Sequence, residues 1–294
     1  MVRSMDQVKR YGLSRRRYVS IKDYGESKSD EKKREEQVEN RYRRHICKIA
    51  YGGNQEWFPK DKSDKNNYLM SQYGCGVIAI TDLFLYWAMT LPNGKETFAG
   101  QYLDERNQIT KENYMLLVEE IRKHYVVILG SSGTFAPQLT LAINHYAKDN
   151  HIEHKAIWDM SLNGVEMMKQ IEKMLQANQP VILMIGHSLP LILSRFRKKG
   201  IPFYKQTRIL NPLGRKSHTP YACYQVIKKN IFGHFVVITG MIIDKQAERA
   251  TQHIMLRISS WGTEYYISYH HLRQYMTQIS RPYLSGIISL GNKK

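Results

Sequence analysis

The chain has 294 residues, 42% of them hydrophobic, which supplies one large core or two modest ones. Lys and Arg outnumber Asp and Glu 44 to 26, a formal net charge of +18, so nucleic acid, acidic proteins and anionic surfaces are the attracted partner classes. Three scattered cysteines without a Cys-x-x-Cys pair exclude a disulfide framework and a structural zinc site, and no apolar run is long enough to span a bilayer.

Residues 1–50 read as a basic N-terminal arm, flexible or helical. It holds Arg15-Arg16-Arg17, Lys32-Lys33-Arg34 and Arg41-Tyr42-Arg43-Arg44 with few aliphatics. Such a segment buries too little apolar surface to offset its ordering entropy. Ser29–Ile46 mixes Glu with Lys and Arg in the manner of a solvated helix. The arm is a candidate contact for a polyanion or an acidic partner. No apolar stretch follows Met1, so no secretory signal is expected and a cytoplasmic location is the default, with signal-independent export left open.

Residues 51–294 read as one domain. Gly76–Met89 is apolar on nearly every face, with Asp82 its only charge, which predicts a buried helix ended by Leu91-Pro92-Asn93-Gly94. Lys111–His124, Pro137–Lys148 and Ser161–Gln176 carry amphipathic helical patterns, the last capped by Ser161 or Asn163. Tyr125–Leu129 reads as a short strand before Gly130-Ser131-Ser132-Gly133. Further strands are predicted at Pro180–Ile185, His234–Gly240, His253–Ser259, Glu264–Ile267 and Ser285–Leu290, with a polar loop at Asp244–Thr251 and a short helix from Ser268 to Met276. Helices first and strands second give an α+β fold of two lobes.

The chemistry concentrates around Gly74-Cys75-Gly76. A thiol opening a helix meets free N–H groups and a partial positive charge, which favour the nucleophilic thiolate. A cysteine nucleophile needs a base, and the base needs an orienting group. Among 11 histidines, His234 stands at the start of an apolar strand, where a sheet fixes an imidazole. Ile258-Ser259-Ser260-Trp261-Gly262 ends the next strand, within reach of His234 in a hairpin.

The ordered trio of Gly74-Cys75-Gly76 at a helix, His234 opening His-Phe-Val-Val-x-x-Gly, and Ser259 before Trp261-Gly262 resembles the papain-like cysteine peptidases, over roughly Tyr68 to Ser289. Together with the Pro-Val-Ile strand before the histidine, it is most similar to the bacterial branch that cleaves double-glycine leader peptides. The resemblance implies a two-lobed fold, a helical lobe carrying the nucleophile helix and an antiparallel sheet lobe carrying the base. It implies a thiol protease that hydrolyses a peptide or related amide bond, with a peptide or protein substrate and no metal or organic cofactor. Cys75 would be the nucleophile, His234 the proton shuttle and Ser259 the group holding the imidazole Nδ1–H, where the family places Asn or Asp. Leu69 stands where the family has its oxyanion glutamine. Gln72 with the Cys75 N–H takes that role, Gly74 allows close substrate approach, and Asn66 and Asn67 are further donors. Trp261 is either core or a shield over the site.

Two other readings stand beside this one. A catalytically silent module would use the same groove and the basic surface to bind an acidic peptide or nucleic acid, and a thiol acyltransferase would pass the acyl group to an amine. Gly186-His187-Ser188-Leu189-Pro190 is similar to a nucleophile elbow, but Pro190 replaces the final glycine and the βαβ rhythm is missing. His151, His154, His270 and His271 lack a third metal ligand at useful spacing. Ser131-Ser132-Gly133 lacks the rest of a phosphate-binding loop.

Overall fold

The computed structural model describes residues 8–13, 18–23, 48–159, 163–186, 200–208, 222–244, 254–277 and 285–292. Three strands come first: β1 (Val8–Gly12), β2 (Ser20–Asp23) and β3 (Lys48–Tyr51). Helix α1 (Lys65–Tyr73) is capped by Asp64, whose carboxylate accepts the Asn66 and Asn67 N–H groups. Gly74 ends it and begins α2 (Cys75–Thr90) after a bend of 82°. Every residue of α2 from Gly76 to Ala88 is buried, as its lack of a polar face predicts.

A two-residue strand β4 (Ile109–Thr110) leads into α3 (Lys111–Tyr125), capped by the Thr110 hydroxyl. Next come α4 (Ala136–Asp149), β5 (His154–Asp159) and α5 (Gly164–Gln176). Asn163 and Glu166 form a reciprocal capping box at the start of α5. Helices α2, α3 and α4 pack together around an aromatic stack in which Phe84 and Tyr146 lie 3.7 Å apart and nearly parallel.

The remainder is sheet: β6 (Val181–Ile185), β7 (Ile201–Arg208), β8 (Ala222–Ile231), β9 (His234–Asp244), β10 (Ile254–Ser260), β11 (Thr263–Ser268), helix α6 (Tyr269–Tyr275) and β12 (Gly286–Asn292). The strands run β5-β12-β6-β9-β10-β11-β7-β8, all antiparallel, and β1 also pairs with β9. The first half of β9 pairs with β6, from Ile185↔His234 to Val181↔Ile238, and the second half pairs with β1, from Gly12↔Gly240 to Val8↔Asp244. On its other side β9 pairs with β10, with a register shift at Arg257/Ile258. Arg257 fastens this junction by donating to the Thr239 and Leu13 carbonyls. A small sheet β3-β2-β4 lies beside the helices. The fold is therefore mixed helix and sheet, with the sheet mostly late in the chain.

Two expectations need correction. The stretch 1–50 is not wholly an arm outside the domain: β1 and β2 belong to the two sheets, and Leu13, Tyr18, Val19 and Ile21 are core residues. The basic runs hid these few aliphatic and aromatic side chains. Tyr125 ends α3, and Val126–Leu129 forms no strand, with Val127 and Leu129 exposed. The Ser29–Ile46 helix, the Ser188 elbow, Cys47 and most of the 244–251 loop fall outside the described residues. Among the described residues no single helix is long and apolar enough to cross a membrane.

Candidate active site

Cys75 occupies the first position of α2, whose N-terminus has no side-chain cap. Four N–H groups at a helix start lack carbonyl partners. The backbone N–H groups of Cys75, Gly76 and Phe235 of β9 face the sulfur. Burial raises the thiol pKa above its ordinary value, and these three donors oppose the rise without cancelling it. Gly76 has no room for a side chain, because a Cβ would sit 2.0 Å from Thr134 Oγ1. The flanking glycine thus serves close packing of α2.

His234 is the first residue of β9 and is buried. Its Nε2 lies 2.8 Å from Ser260 Oγ. The plane of Trp261 stacks on the imidazole, with centroids 4.2 Å apart and planes 10° from parallel. The Lys228 ammonium sits 3.9 Å from the Trp261 ring centroid. Burial, and secondarily the Lys228 charge, lower the His234 pKa to about 3, so the imidazole is neutral at ordinary pH.

The orienting hydroxyl is Ser260, not Ser259. Ser259 pairs across the hairpin with Val237 and donates to the Tyr51 carbonyl at 2.9 Å. Directly opposed residues share a sheet face and successive residues alternate, which leaves Ser260 on the face of Val236 and His234. The hydrogen bond also falls on Nε2 rather than Nδ1.

Ser259 instead joins a buried network around Asp82. Tyr18 and Tyr114 hydroxyls donate to the Asp82 carboxylate at 3.0 and 2.8 Å, and Gly53 N–H donates at 3.0 Å. Burial raises Asp82 to about 6, and these donors hold it from going higher. The network fixes the segment Gly52-Gly53. A Cβ on Gly52, whose φ is +73°, would lie 2.1 Å from Ser259 Oγ and 2.4 Å from Asp82 Oδ2.

That segment leads to Gln55, in a 3-10 turn capped by Asn54. Gln55 Nε2 donates to the Ser71 and Gln72 carbonyls at 3.2 and 3.3 Å, while its Oε1 is buried without a partner. A narrow cleft is lined by Cys75, His234, Gln55, Gly53, Asp82, Phe235, Ser259, Ser260 and Trp261, among others. Its free volume of about 10 Å³ admits one water molecule.

Of the residues expected from sequence, Cys75, His234, Ser259 and Trp261 reach this cleft. Gln72 does not: it is exposed on α1 and donates to Ser71 Oγ. Gly74 is a helix junction whose Cβ would meet the Met70 carbonyl at 2.4 Å, and it does not line the cleft. Asn66 and Asn67 lie at the start of α1, bound to Asp64. Gln55 was not singled out, since it lies 20 residues before the cysteine in an irregular stretch. The glycine pair before it was the available signal. Trp261 and Gly262 have φ of +48° and +67° and close the β10–β11 hairpin as its two turn residues, a conformation that favours glycine or asparagine. Tryptophan at such a position marks a constraint beyond turn formation. The turn is pinned by Gly262 N–H to the Gly53 carbonyl and Tyr51 N–H to the Gly262 carbonyl.

His270 and His271 lie on α6, where His271 Nδ1 pairs with the Tyr204 hydroxyl, and His154 is paired with Gln179. Neither place gathers three metal-ligating groups among the described residues. No family model matches the chain, and neither does any curated protein or solved structure among those compared.

Proposed function

We propose that this protein is a papain-like thiol hydrolase that cleaves a peptide or related amide bond. The observation that carries the reading is the shared cleft of Cys75 and His234, with the sulfur against the N–H of the residue that follows the histidine. Nε2 is engaged by Ser260, so Nδ1 is the nitrogen that takes the thiol proton. Cys75 Sγ then attacks the carbonyl carbon, and the C–N bond breaks as His234 returns the proton to the leaving amine. Water, deprotonated by His234, attacks the thioester carbonyl and releases the acid and the free thiol.

The negative oxygen of the tetrahedral intermediate needs fixed donors. The Cys75 N–H is one, at the positive end of α2. Gln55 Nε2 is the other, since its contacts with the Ser71 and Gln72 carbonyls are long and yield to an oxyanion.

The resting pair is neutral, a raised thiol beside a lowered imidazole. Proton transfer therefore accompanies attack instead of preceding it, which suits an uncharged orienting serine. The same neutrality favours a second reading, a peptide-binding module with little turnover. A peptide bearing a thiol-reactive electrophile separates the two. Hydrolase function requires labelling of Cys75 by the bound peptide probe at neutral pH far faster than its alkylation by a small free reagent, an acceleration lost in His234→Ala, and peptide cleavage that is lost in Cys75→Ala. Labelling at the rate of an ordinary thiol, indifferent to His234, assigns the cleft to binding alone.

A further inference from the structure

Beside the cleft, on Trp261, stands a cation that has no carboxylate partner among the described residues. The histidine that protonates the departing amine must touch it, so the chain beyond the scissile bond runs past His234 and across its stacked neighbour Trp261. Trp261 holds the imidazole at 4.2 Å and the Lys228 ammonium at 3.9 Å. An extended chain advances about 3.3 Å per residue, so Lys228 is reached within two or three residues of the cut.

Lys228 belongs to β8, the outer strand of the β7–β8 hairpin, where it pairs with Phe203. Phe203, Trp261 and Tyr265 form one aromatic platform, with ring centroids 5.7 to 6.3 Å apart. Two ammonium groups stand over it, Lys228 on Trp261 and Lys205 on Tyr265 at 5.9 Å. Among the described residues no carboxylate forms an ion pair with either lysine. Glu56 acts on the platform at Tyr265. Lys228 is half-buried, so its charge is screened less than that of a lysine in open water. The indole face satisfies it only in part and leaves its N–H donors for a carboxylate.

Resting on the hydrolase reading above, we infer that Lys228 selects substrates with an acidic residue in the first three positions after the scissile bond, with Lys205 adding to the positive field. The platform supplies apolar contact for the stem of that residue, and the ammonium supplies its charge partner. The substrate class is an acidic peptide or protein segment. The attraction implied by the net charge of the chain is thereby given a place beside the cleft.

The test uses the full chain and a complex peptide library, with cut sites identified by mass spectrometry. Sites absent with Cys75→Ala define the enzyme's own cuts. Asp and Glu should be enriched about fivefold at one of the first three leaving-side positions, on the scale of a partly screened ion pair. Lys228→Gln should flatten that enrichment, Lys228→Arg should keep it, and Lys228→Glu should replace it with Lys and Arg. An acid preference unchanged in Lys228→Gln, or Cys75-dependent cuts without acid preference, overturns the inference and leaves the hydrolase standing. Cuts that persist in Cys75→Ala, or no cuts at all, overturn both.

Discussion

His234 Nε2 and Ser260 Oγ are 2.8 Å apart, and this contact sets the character of the site. A hydroxyl orients the ring without placing a negative charge beside it. Removing it in Ser260→Ala should reduce turnover about tenfold, the cost of one neutral hydrogen bond that positions a base. Ser259→Ala should leave the imidazole in place and lower stability by about 1 kcal/mol, through the lost bond to the Tyr51 carbonyl. Equal kinetic effects of the two variants would contradict the assignment.

The neutral pair predicts a distinctive pH profile. With His234 lowered to about 3, no imidazole titration falls between pH 5 and 8. Alkylation of Cys75 by iodoacetamide should climb on a single alkaline limb above pH 9, because burial raises the thiol and the thiolate appears only above its pKa. Introducing a charge with Ser260→Asp should raise the imidazole pKa and bring labelling down into the neutral range. Reaction rates at each pH unit from 5 to 10 check both points, and a plateau starting near pH 6.5 in the wild type would refute the first.

Oxyanion stabilisation by Gln55 is open to a paired comparison. Gln55→Ala should lower kcat by about 10²–10³, the usual loss when one such donor is removed. Gln72→Ala should change kcat little, as its side chain does not line the cleft and donates to Ser71 Oγ.

Asp82 makes stability depend on pH. Its folded pKa of about 6 lies above the ordinary value of 3.8, so the folded state holds a proton that the unfolded state releases. The associated stability is fully present below pH 3.8 and is lost as pH rises through 6, by at most about 3 kcal/mol. Urea unfolding of wild type and Asp82→Asn between pH 4 and 7 should reveal this loss in the wild type alone. A difference between the two proteins that is constant across that range would refute it.

Crowding around Gly52 gives a structural test. Gly52→Ala places a Cβ against Ser259 and Asp82 at a φ of +73° and should cost several kcal/mol, about 2–4, in thermal or chemical unfolding.

The sequence made α2 legible because an apolar run without a polar face has one place to go, the interior. It made β9 legible because a β-branched run after a glycine reads as a strand. Which of two adjacent serines faces His234 was not legible: the answer depends on a pairing register that a bulge at Arg257/Ile258 alters. Gln55 escaped because its approach to Cys75 is made by tertiary bonds, Gly53 to Asp82 and Gly262 to Gly53. Leu13, Tyr18, Val19 and Ile21 escaped because local charge outweighed them in any window. The helical spans Lys111–Tyr125, Ala136–Asp149 and Gly164–Gln176 match their periodicity within a few residues, since caps and amphipathic stripes are local signals.

Strand β1 lies along the second half of the strand that His234 begins, and Tyr18 reaches the carboxylate beneath the cleft. Trimming the protein back to residue 51 would strip a flank from that strand and leave Asp82 short of a donor. The opening of this chain is thus masonry: it braces the strand and the carboxylate on which the cleft rests, and its withdrawal would loosen both.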